Sequence, residues 1–383
     1  MLLSPEALET GLIAKPEMKY PVTILSDRGL EHALATGKIR ISPLEKKQVQ
    51  PSSIDLSICS AAVYDEEVRV KAALQGRLVI DERHLEDSLE DLAKYFQGDD
   101  VPFDLSPNSY AEITLLEKVD FDPEEYSISL ELRSSRGRPG ILPFRLPLNI
   151  SSRNYVVSVI NRNPNTLRLY TGTPFLQLFF HPLKSQGNGH LVTDQEEARS
   201  IAEKCCEGHF DLLGSYIVFR LTDSVLKFKK DLGVIDTKQK YPDDYLYHKV
   251  DLPSRLSVSD VIRLMPHDAI IAPLNPRLNL PADVGIRLIS RIPYSEQAHR
   301  DFLELTGFRA DNYQVNAGWV DPGYKGNVTA HPTRSFNPLS LTRGKPIALG
   351  IFYRYSRPVL RPYGSEKLGT SHYQNSDGAG HRS

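Results

Sequence analysis

The sequence predicts a mainly β protein made of two tandem domains with a few short helices. Short runs of β-branched and aromatic residues are bounded by Pro, Gly and Asn, as in YSISLEL (126–132), YVVSVI (155–160) and ALGIFYRY (348–355). The 27 prolines argue against long helices. A chain of 383 residues, 40% of them hydrophobic, is long enough for two compact domains, each with its own core.

An internal repeat supports the division into two domains. FDPEEYSISLELR (121–133) aligns with NLPADVGIRLISR (279–291) at an offset of 158 residues. Further on, YTGTPFLQLFF (170–180) aligns with TRGKPIALGIF (342–352) at an offset of 172 residues. Two matches in the same order indicate a duplicated β-domain. We therefore expect one domain at residues 1–195 and a second at residues 196–383.

Two stretches predict helices. EALETGLIA (6–14) lies near the start of the sequence, and DERHLEDSLEDLAKYFQG (81–98) ends at a glycine. In the second stretch, apolar residues recur at three- and four-residue spacing among charged ones, which is typical of a helix with one buried face.

The charge balance bears on the kind of partner. The chain has 46 basic and 48 acidic residues and a formal net charge of −2. It therefore lacks a general field that would attract nucleic acid or an anionic membrane, and we expect neither as a partner. Any phosphate site must be local.

The N-terminus and the cysteines indicate the compartment. MLLSPEALETGLIAKPEMKY has no basic region followed by an apolar one, and no run of about 18 apolar residues occurs anywhere. Three cysteines, Cys59, Cys205 and Cys206, cannot form a disulfide framework. We expect a cytoplasmic protein.

Zinc is not expected. His84 and Glu86 form an HxE, but the PCxxC partner of zinc-dependent nucleoside deaminases does not occur. Cys205, Cys206 and His209 are close in sequence, yet adjacent cysteines do not have the spacing of a zinc knuckle. No metal ligands are therefore assigned to the protein.

The stretch RSSRGRPG (133–140), which we call the SSRGR loop, follows the predicted strand YSISLEL. Two hydroxyls, two glycines and three arginines within eight residues suit the wrapping of phosphate oxygens by backbone N–H groups, hydroxyls and guanidinium groups. It is not a Walker loop, because no GxxxxGK[ST] occurs. A basic surface turn is the alternative interpretation.

The stretch AGWVDPGYKG (317–326), which we call the DPG turn, contains the only tryptophan of the chain. Pro322 and Gly323 predict a tight turn that fixes Asp321 and leads into a strand at 327–331. The structural alternative is that Trp319 packs in a core and Asp321 caps the local backbone.

Two further motifs accompany the SSRGR loop and the DPG turn. With QPSSIDLSI (50–58) and the tail YGSEKLGTSHYQ (363–374), their order resembles the dCTP deaminase branch of the dUTPase-like superfamily, in its long tandem form. The resemblance implies a distorted, dUTPase-like antiparallel β-barrel in each half. It also implies a homo-oligomer with active sites at subunit or domain interfaces.

The same resemblance implies a site for a deoxynucleoside triphosphate, with Mg²⁺ carried on the phosphates. The loop residues would hold the triphosphate, residues of the DPG turn would lie beside the sugar and base, and the tail would close over the nucleotide as a lid. The implied substrate-binding residues are Ser134, Ser135, Arg136, Gly137, Arg138, Trp319, Tyr324, Tyr363, Lys367, Tyr373 and Gln374.

The catalytic residues implied by the resemblance are His331 and Asp321. The family deaminates without zinc and uses a glutamate shortly after the DPG turn as the base, and His331 occupies that position here. In the first copy the position falls near Val159, which cannot transfer a proton. Histidine ordinarily titrates near pH 6.5, so it can act as a base at neutral pH. Glu131 beside the SSRGR loop is the next candidate.

Deamination of dCTP to dUTP and ammonia is the expected reaction. Two alternatives remain open. The aspartate and tyrosine of GWVDPGYKG also fit a dUTP diphosphatase. Replacement of the glutamate by His331 also fits a catalytically degenerate protein that binds deoxynucleotides.

Substitution of Arg138 tests the loop assignment. A guanidinium on a phosphate contributes about 1.5–3 kcal/mol as a charged hydrogen bond, so Arg138→Ala should weaken triphosphate binding at least tenfold. Calorimetric titration of the folded variant with dCTP and dUTP measures this. Unchanged affinity for both nucleotides would show that the loop does not bind the phosphates.

Overall fold

The computed structural model describes residues 23–64, 94–137, 139–145, 155–184, 188–254, 262–264, 269–289, 313–314, 318–335, 339–366 and 375. In this part of the chain the strands greatly outnumber the helices, so the predicted mainly β class is confirmed. No helix in the described ranges is long and apolar enough to cross a membrane.

The strands of the first half end at Leu191. They are β1 Thr23–Ile24, β2 Ile39–Ser42, β3 Ile54–Tyr64, β4 Lys94–Gln97, β5 Pro102–Leu105, β6 Tyr110–Leu115, β7 Lys118–Phe121, β8 Tyr126–Leu132, β9 Ile141–Arg145, β10 Val156–Asn161, β11 Thr166–Tyr170, β12 Pro174–Pro182 and β13 Gly189–Leu191.

The strands of the second half begin at Cys206. They are β14 Cys206–Glu207, β15 Asp211–Leu213, β16 Tyr216–Leu221, β17 Ser224–Phe228, β18 Val234–Asp236, β19 Tyr247–Asp251, β20 Ile262–Leu264, β21 Ala269–Asn279, β22 Val284–Ile289, β23 Tyr313–Gln314, β24 Trp319–Val320, β25 Lys325–Ser335, β26 Leu339–Leu341 and β27 Pro346–Tyr355.

The described helices are short. They are α1 Asp27–Ala35, α2 Ser134–Gly137, α3 Gln195–Cys205 and α4 Asp243–Leu246, with a 3₁₀ turn at Lys46–Gln48. The two longer helices begin at polar caps, because the Ser26 hydroxyl accepts a hydrogen bond from Gly29 N–H and the Asp194 carboxylate accepts one from Glu197 N–H.

Two large sheets and two hydrophobic cores follow the two halves. One sheet has the order β8-β12-β3-β6-β10-β9, and the other runs β1-β13-β27-β16-β21-β17-β19 with β22, β24 and β25 attached at its side. The cores are not strictly separate, because Ile24 and Phe179 belong to the second cluster and Leu226 and Phe228 to the first. In addition, β18 of the second half pairs in parallel with β11 of the first. The proposed boundary at 195/196 stays a prediction.

The internal repeat is visible in the strand register. In the first half Leu130 of β8 pairs with Leu178 of β12. The sequence offsets of 158 and 172 residues carry this pair to Leu288 and Gly350, which are partners in β22 and β27. Gly172 and Gly344, which precede the second strand of each pair, both have φ +74°. The two copies therefore pair these strands in the same register.

Alternation along β12 directs one face of the first sheet towards the second half. Leu178 and Phe180 lie in the first core, whereas Phe179 between them lies in the second. The Phe179 ring centroid is 5.5 Å from that of Trp319, which is 5.2 Å from Tyr353. These three rings form an aromatic cluster between the halves.

The structure corrects one predicted helix. Residues 94–97, at the end of the stretch 81–98, form β4 and pair with β3. Pairing with β3 fixes an extended backbone there, whatever the local spacing of apolar residues. Residues 81–93 and 6–14 lie outside the described part of the chain. None of the four helices in the described part of the chain was predicted.

An overpacking substitution tests the close packing around Trp319. A Cβ added to Gly285 would lie 2.7 Å from the Trp319 ring, so Gly285→Ala should lower the free energy of unfolding by about 1–3 kcal/mol. Gly318→Ala is the control, because its Cβ would meet open space. Urea denaturation measures both variants. Equal stabilities would show that the ring is free to move away from Gly285.

Candidate functional site

A polar row crosses the face of the first sheet that turns towards the second half. Asp55 of β3 is opposite Gln177 of β12, which is opposite Glu131 of β8. Partners across neighbouring strands share a face, so the three side chains lie in one line. Asp55 and Glu131 are buried. The row therefore places two carboxyl groups between the halves.

Each of these carboxyl groups has an arginine partner. Arg133 lies directly after β8, and its Nη1 is 2.9 Å from Asp55 Oδ2. Arg287 of β22 comes from the second half, and its Nη2 is 3.0 Å from Glu131 Oε1. Both carboxylates keep a second oxygen buried without a hydrogen-bond partner among the described residues.

The DPG turn brings a third carboxyl group to this region. Gly323 N–H donates to Pro281 O at 3.1 Å, and Tyr324 N–H donates to Asp321 O at 3.1 Å. Gly323 has φ +88°, which suits glycine at the corner of the turn. The turn holds Asp321 with Oδ1 buried and unpartnered in the described part of the structure.

Electrostatics make the Asp55 and Asp321 pair unusual. The pKa of Asp321 is raised to about 7, first by burial and then by the charge of Asp55, while Trp319 and Arg133 oppose the rise. The pKa of Asp55 is raised to about 6, chiefly by burial, with Arg133 opposing it. Two buried carboxyl groups thus share one guanidinium, so protonation near neutral pH involves both.

The SSRGR loop lies beside this pair. Its first residues form α2, which lies against β25 of the second half. Ser134 is exposed, Ser135 is half-buried and Gly137 is buried. The side chain of Arg136 and the whole of Arg138 lie outside the described part of the chain. The loop of the first half and the strand after the DPG turn are therefore neighbours.

The aromatic residues of the DPG turn are held by packing. The hydroxyl of Tyr324 donates to Asn327 O at 2.6 Å, and its ring centroid is 5.6 Å from that of Tyr363. Trp319 belongs to the aromatic cluster with Phe179 and Tyr353. These contacts account for both positions, and a role of Trp319 or Tyr324 in substrate binding stays a prediction.

The predicted strand after the turn is present as β25, which contains His331. Only the backbone of His331 is described, and its side chain lies outside the described part. In the tail, Tyr363 N–H donates to Pro322 O at 2.8 Å, so the tail begins on the DPG turn. Lys367, Tyr373 and Gln374 lie outside the described residues.

The start of the tail is also held by the first half. The buried carboxylate of Asp27 in α1 accepts hydrogen bonds from Leu360 N–H at 2.9 Å and Arg361 N–H at 2.7 Å. Arg361 also pairs with Glu31 of the same helix. The tail therefore begins at a point fixed by both halves.

Three residues of the candidate site were not among the predicted site residues: Asp55, Arg287 and Asp27. The motif QPSSIDLSI contains Asp55, and an acidic residue inside an apolar strand was the available signal. Arg287 and Asp27 gave no comparable signal. Among the described residues, no three His, Cys, Asp or Glu side chains are grouped so that they could hold a metal ion.

Comparison with solved structures shows the fold. The crystal structure of 2′-deoxycytidine 5′-triphosphate deaminase from Agrobacterium tumefaciens matches with a TM-score of 0.65 and 16% identity, covering 89% of this chain and 100% of that one. At this identity the match concerns the fold alone, and it agrees with the mainly β class.

Sequence comparison then gives the family. Residues 24–183 match the family model described as dCTP deaminase-like. A relative from Dictyoglomus thermophilum, named "dCTP deaminase, dUMP-forming", is 31% identical over 170 residues, which are 42% of this chain and 81% of the relative. A relative of the same name from Methanosphaera stadtmanae is 28% identical over 187 residues, 46% of this chain and 88% of the relative. The chain belongs to the dCTP deaminase family.

The substitution Asp321→Asn tests whether ionisation of a buried carboxyl group lowers the stability of the fold. Asp321 holds its proton up to about pH 7 in the folded protein but only to about 3.8 when unfolded, so ionisation weakens the folded state as pH rises between these values. Asp321→Asn should therefore raise the free energy of unfolding by about 2–4 kcal/mol at pH 8 and change it little near pH 4.

Urea denaturation at the two pH values measures this difference. Asp120→Asn, at a carboxylate that is 74% exposed, is the control and should have a small effect at both. An equal effect of Asp321→Asn at pH 8 and pH 4 would contradict the burial of an ionisable group at this position.

Proposed function

We propose that this protein deaminates dCTP hydrolytically, without zinc, at a site between its two halves. The observation that carries the proposal is the meeting of Asp55 and Arg133 of the first half with Asp321 of the second, beside the SSRGR loop. Membership of the dCTP deaminase family and the names of the relatives supply the substrate.

The triphosphate is proposed to bind at the SSRGR loop. Ser134, Ser135 and Gly137 provide hydroxyl and backbone donors, and the arginines of the loop provide positive charge. Mg²⁺ arrives on the phosphates as part of the substrate. The net charge of the whole chain is only −2, so this loop, and not a general field, supplies the attraction.

The sugar and base are proposed to lie beside Asp321. Its Oδ1 is a buried acceptor without a partner among the described residues, which suits a hydroxyl donor of the substrate or the water that attacks. The tail begins on the DPG turn through Tyr363 and can close the site from there.

Deamination requires a base for the attacking water. Water adds to C4 of the cytosine ring as the base takes one of its protons and N3 gains a proton. The remaining hydroxyl proton passes to the amino group, so that the C4–N bond breaks, ammonia leaves and a C4 carbonyl is formed. His331, in β25 ten residues after Asp321, is the proposed base, since it occupies the position of the family glutamate. Asp321 is the second candidate, because a pKa of about 7 suits proton transfer at neutral pH.

The product is proposed to be dUTP. A second candidate is favoured by the relatives from D. thermophilum and M. stadtmanae, which are named dUMP-forming. In that case a second water molecule attacks the α-phosphorus at the same site, the bond to the β-phosphate breaks, and pyrophosphate leaves. We further propose a cytoplasmic homo-oligomer, with the deoxynucleoside triphosphate as its partner.

Separate incubations with dCTP and with dUTP, each with Mg²⁺, test the proposal, and ammonia and pyrophosphate are measured separately. Ammonia alone means formation of dUTP, and ammonia with pyrophosphate means formation of dUMP. Pyrophosphate from dUTP without ammonia from dCTP would identify a dUTP diphosphatase. Tight binding of dCTP without any product would identify a nucleotide-binding protein that lacks catalysis.

Glutamine at position 331 tests the base. His331→Gln should lower turnover at least 10²-fold while dCTP affinity is retained, because general-base help contributes about 10²–10⁴-fold. Wild-type activity should fall on acidification, since a protonated imidazole cannot accept a proton. His209→Gln, at a histidine whose side chain is 86% exposed, is the control. If His331→Gln is fully active, His331 is not the general base, and Asp321 or Glu131 becomes the candidate.

A further inference from the structure

Three asparagines lie at the end of β10 and in its connection to β11. Asn161, Asn163 and Asn165 are 0%, 2% and 3% exposed. A buried amide loses its hydrogen bonds to water, so each of its donors and acceptors needs a partner inside the protein. Without such partners, burial of an asparagine side chain lowers the stability of the fold. We call these three residues the amide relay.

The amide relay is bonded internally from one asparagine to the next. Asn163 N–H donates to Asn161 Oδ1 at 2.8 Å, and Asn165 N–H donates to Asn163 Oδ1 at 2.9 Å. The side chain of Asn165 donates to the same Asn163 oxygen at 2.9 Å. Asn163 therefore has its acceptor fully engaged, which fixes the direction of its amide N–H₂ group.

That N–H₂ group points to the end of the SSRGR loop. Asn163 Nδ2 donates to Pro139 O at 2.7 Å, and Arg162 N–H donates to Gly140 O at 2.8 Å. Gly140 has φ +106°, and a Cβ there would lie 2.8 Å from Asn163 N. The loop and the relay are thus in direct contact, with no room for a side chain at the contact point.

The relay is itself fixed to the second half. Asn165 Nδ2 donates to Lys229 O at 2.7 Å, and Leu232 N–H donates to Asn165 Oδ1 at 2.8 Å. The other end of the SSRGR loop is held by the ion pair of Arg133 with Asp55. Both ends of an eight-residue loop are therefore anchored, and Ser134 to Arg138 lie between the anchors.

We propose that Asn163 is the positioning residue that sets the geometry of the SSRGR loop for the triphosphate. Its amide bond to Pro139 holds the C-terminal end of the loop, so that the hydroxyl and backbone donors are arranged before the nucleotide binds. This inference rests on the proposed function, because it takes the loop to be the phosphate site.

The ratio of dCTP to dCMP affinity in the presence of Mg²⁺ tests this role. Asn163→Ala should weaken dCTP binding at least tenfold and leave dCMP binding within twofold, because the β- and γ-phosphates depend most on the loop. Asn165→Ala is the matched control. It removes an equally buried amide with its bonds to Lys229, Leu232 and Asn163 Oδ1. The Asn163–Pro139 bond remains, and the backbone N–H of residue 165 still donates to Asn163 Oδ1, so the Asn163 amide keeps its direction.

Gly140→Ala tests the same contact from the loop side and serves if Asn163→Ala does not fold. Its Cβ must displace Asn163, so it should also lose the preference for dCTP. Calorimetry measures the affinities, and thermal denaturation checks that the two asparagine variants lose similar stability.

The outcomes separate this inference from the proposed function. Loss of the preference in Asn163→Ala and Gly140→Ala, but not in Asn165→Ala, supports the positioning role. A preference kept by Asn163→Ala, or lost equally in Asn165→Ala, overturns that role alone. A wild-type protein that binds dCTP no better than dCMP overturns both proposals.

Discussion

Buried charge between the two halves is the constraint on which the site depends. The end of β8 supplies Glu131 and Arg133, which pair with Arg287 and Asp55. Taking such groups out of water costs several kcal/mol each, and removal of one partner leaves the other uncompensated. The aromatic cluster beside them buries large apolar rings, which offsets part of that cost. The halves are therefore held in one relative position by groups that also shape the site.

The same arrangement explains why the pKa of Asp321 is raised to about 7. Arg133 pairs directly with Asp55, and the effects of Trp319 and Arg133 on Asp321 do not cancel those of burial and of the Asp55 charge. A group in this state binds a proton or a hydrogen-bond donor readily. The fold thus makes the ionised form of Asp321 unfavourable, and a bound hydrogen-bond donor would reduce that cost. Stability and ligand binding are in conflict at this residue.

Local pattern predicted much of the fold but few of the contacts. YSISLEL coincides with β8, and the repeat offsets reproduce the observed pairing of β22 with β27. Residues 94–97 were mistaken for a helix end, because pairing with β3 outweighs the local spacing. The DPG turn and the SSRGR loop were found from composition. The partners of Asp55, Glu131 and Asp27 were not, since they are up to 334 residues away and only the folded chain brings them together.

The duplicated register has a consequence for how the sequence can change. A symmetric assembly of identical subunits must carry every active-site residue in each subunit, so each position serves twice. In this chain the SSRGR loop comes from one copy and the DPG turn from the other. Neither copy therefore needs to carry both motifs. The predicted counterpart of His331 in the first copy falls near Val159, so the two copies differ in residue type there. Covalent linkage of the halves thus allows a repeated scaffold to carry one asymmetric candidate site, and it allows the counterpart positions to change independently.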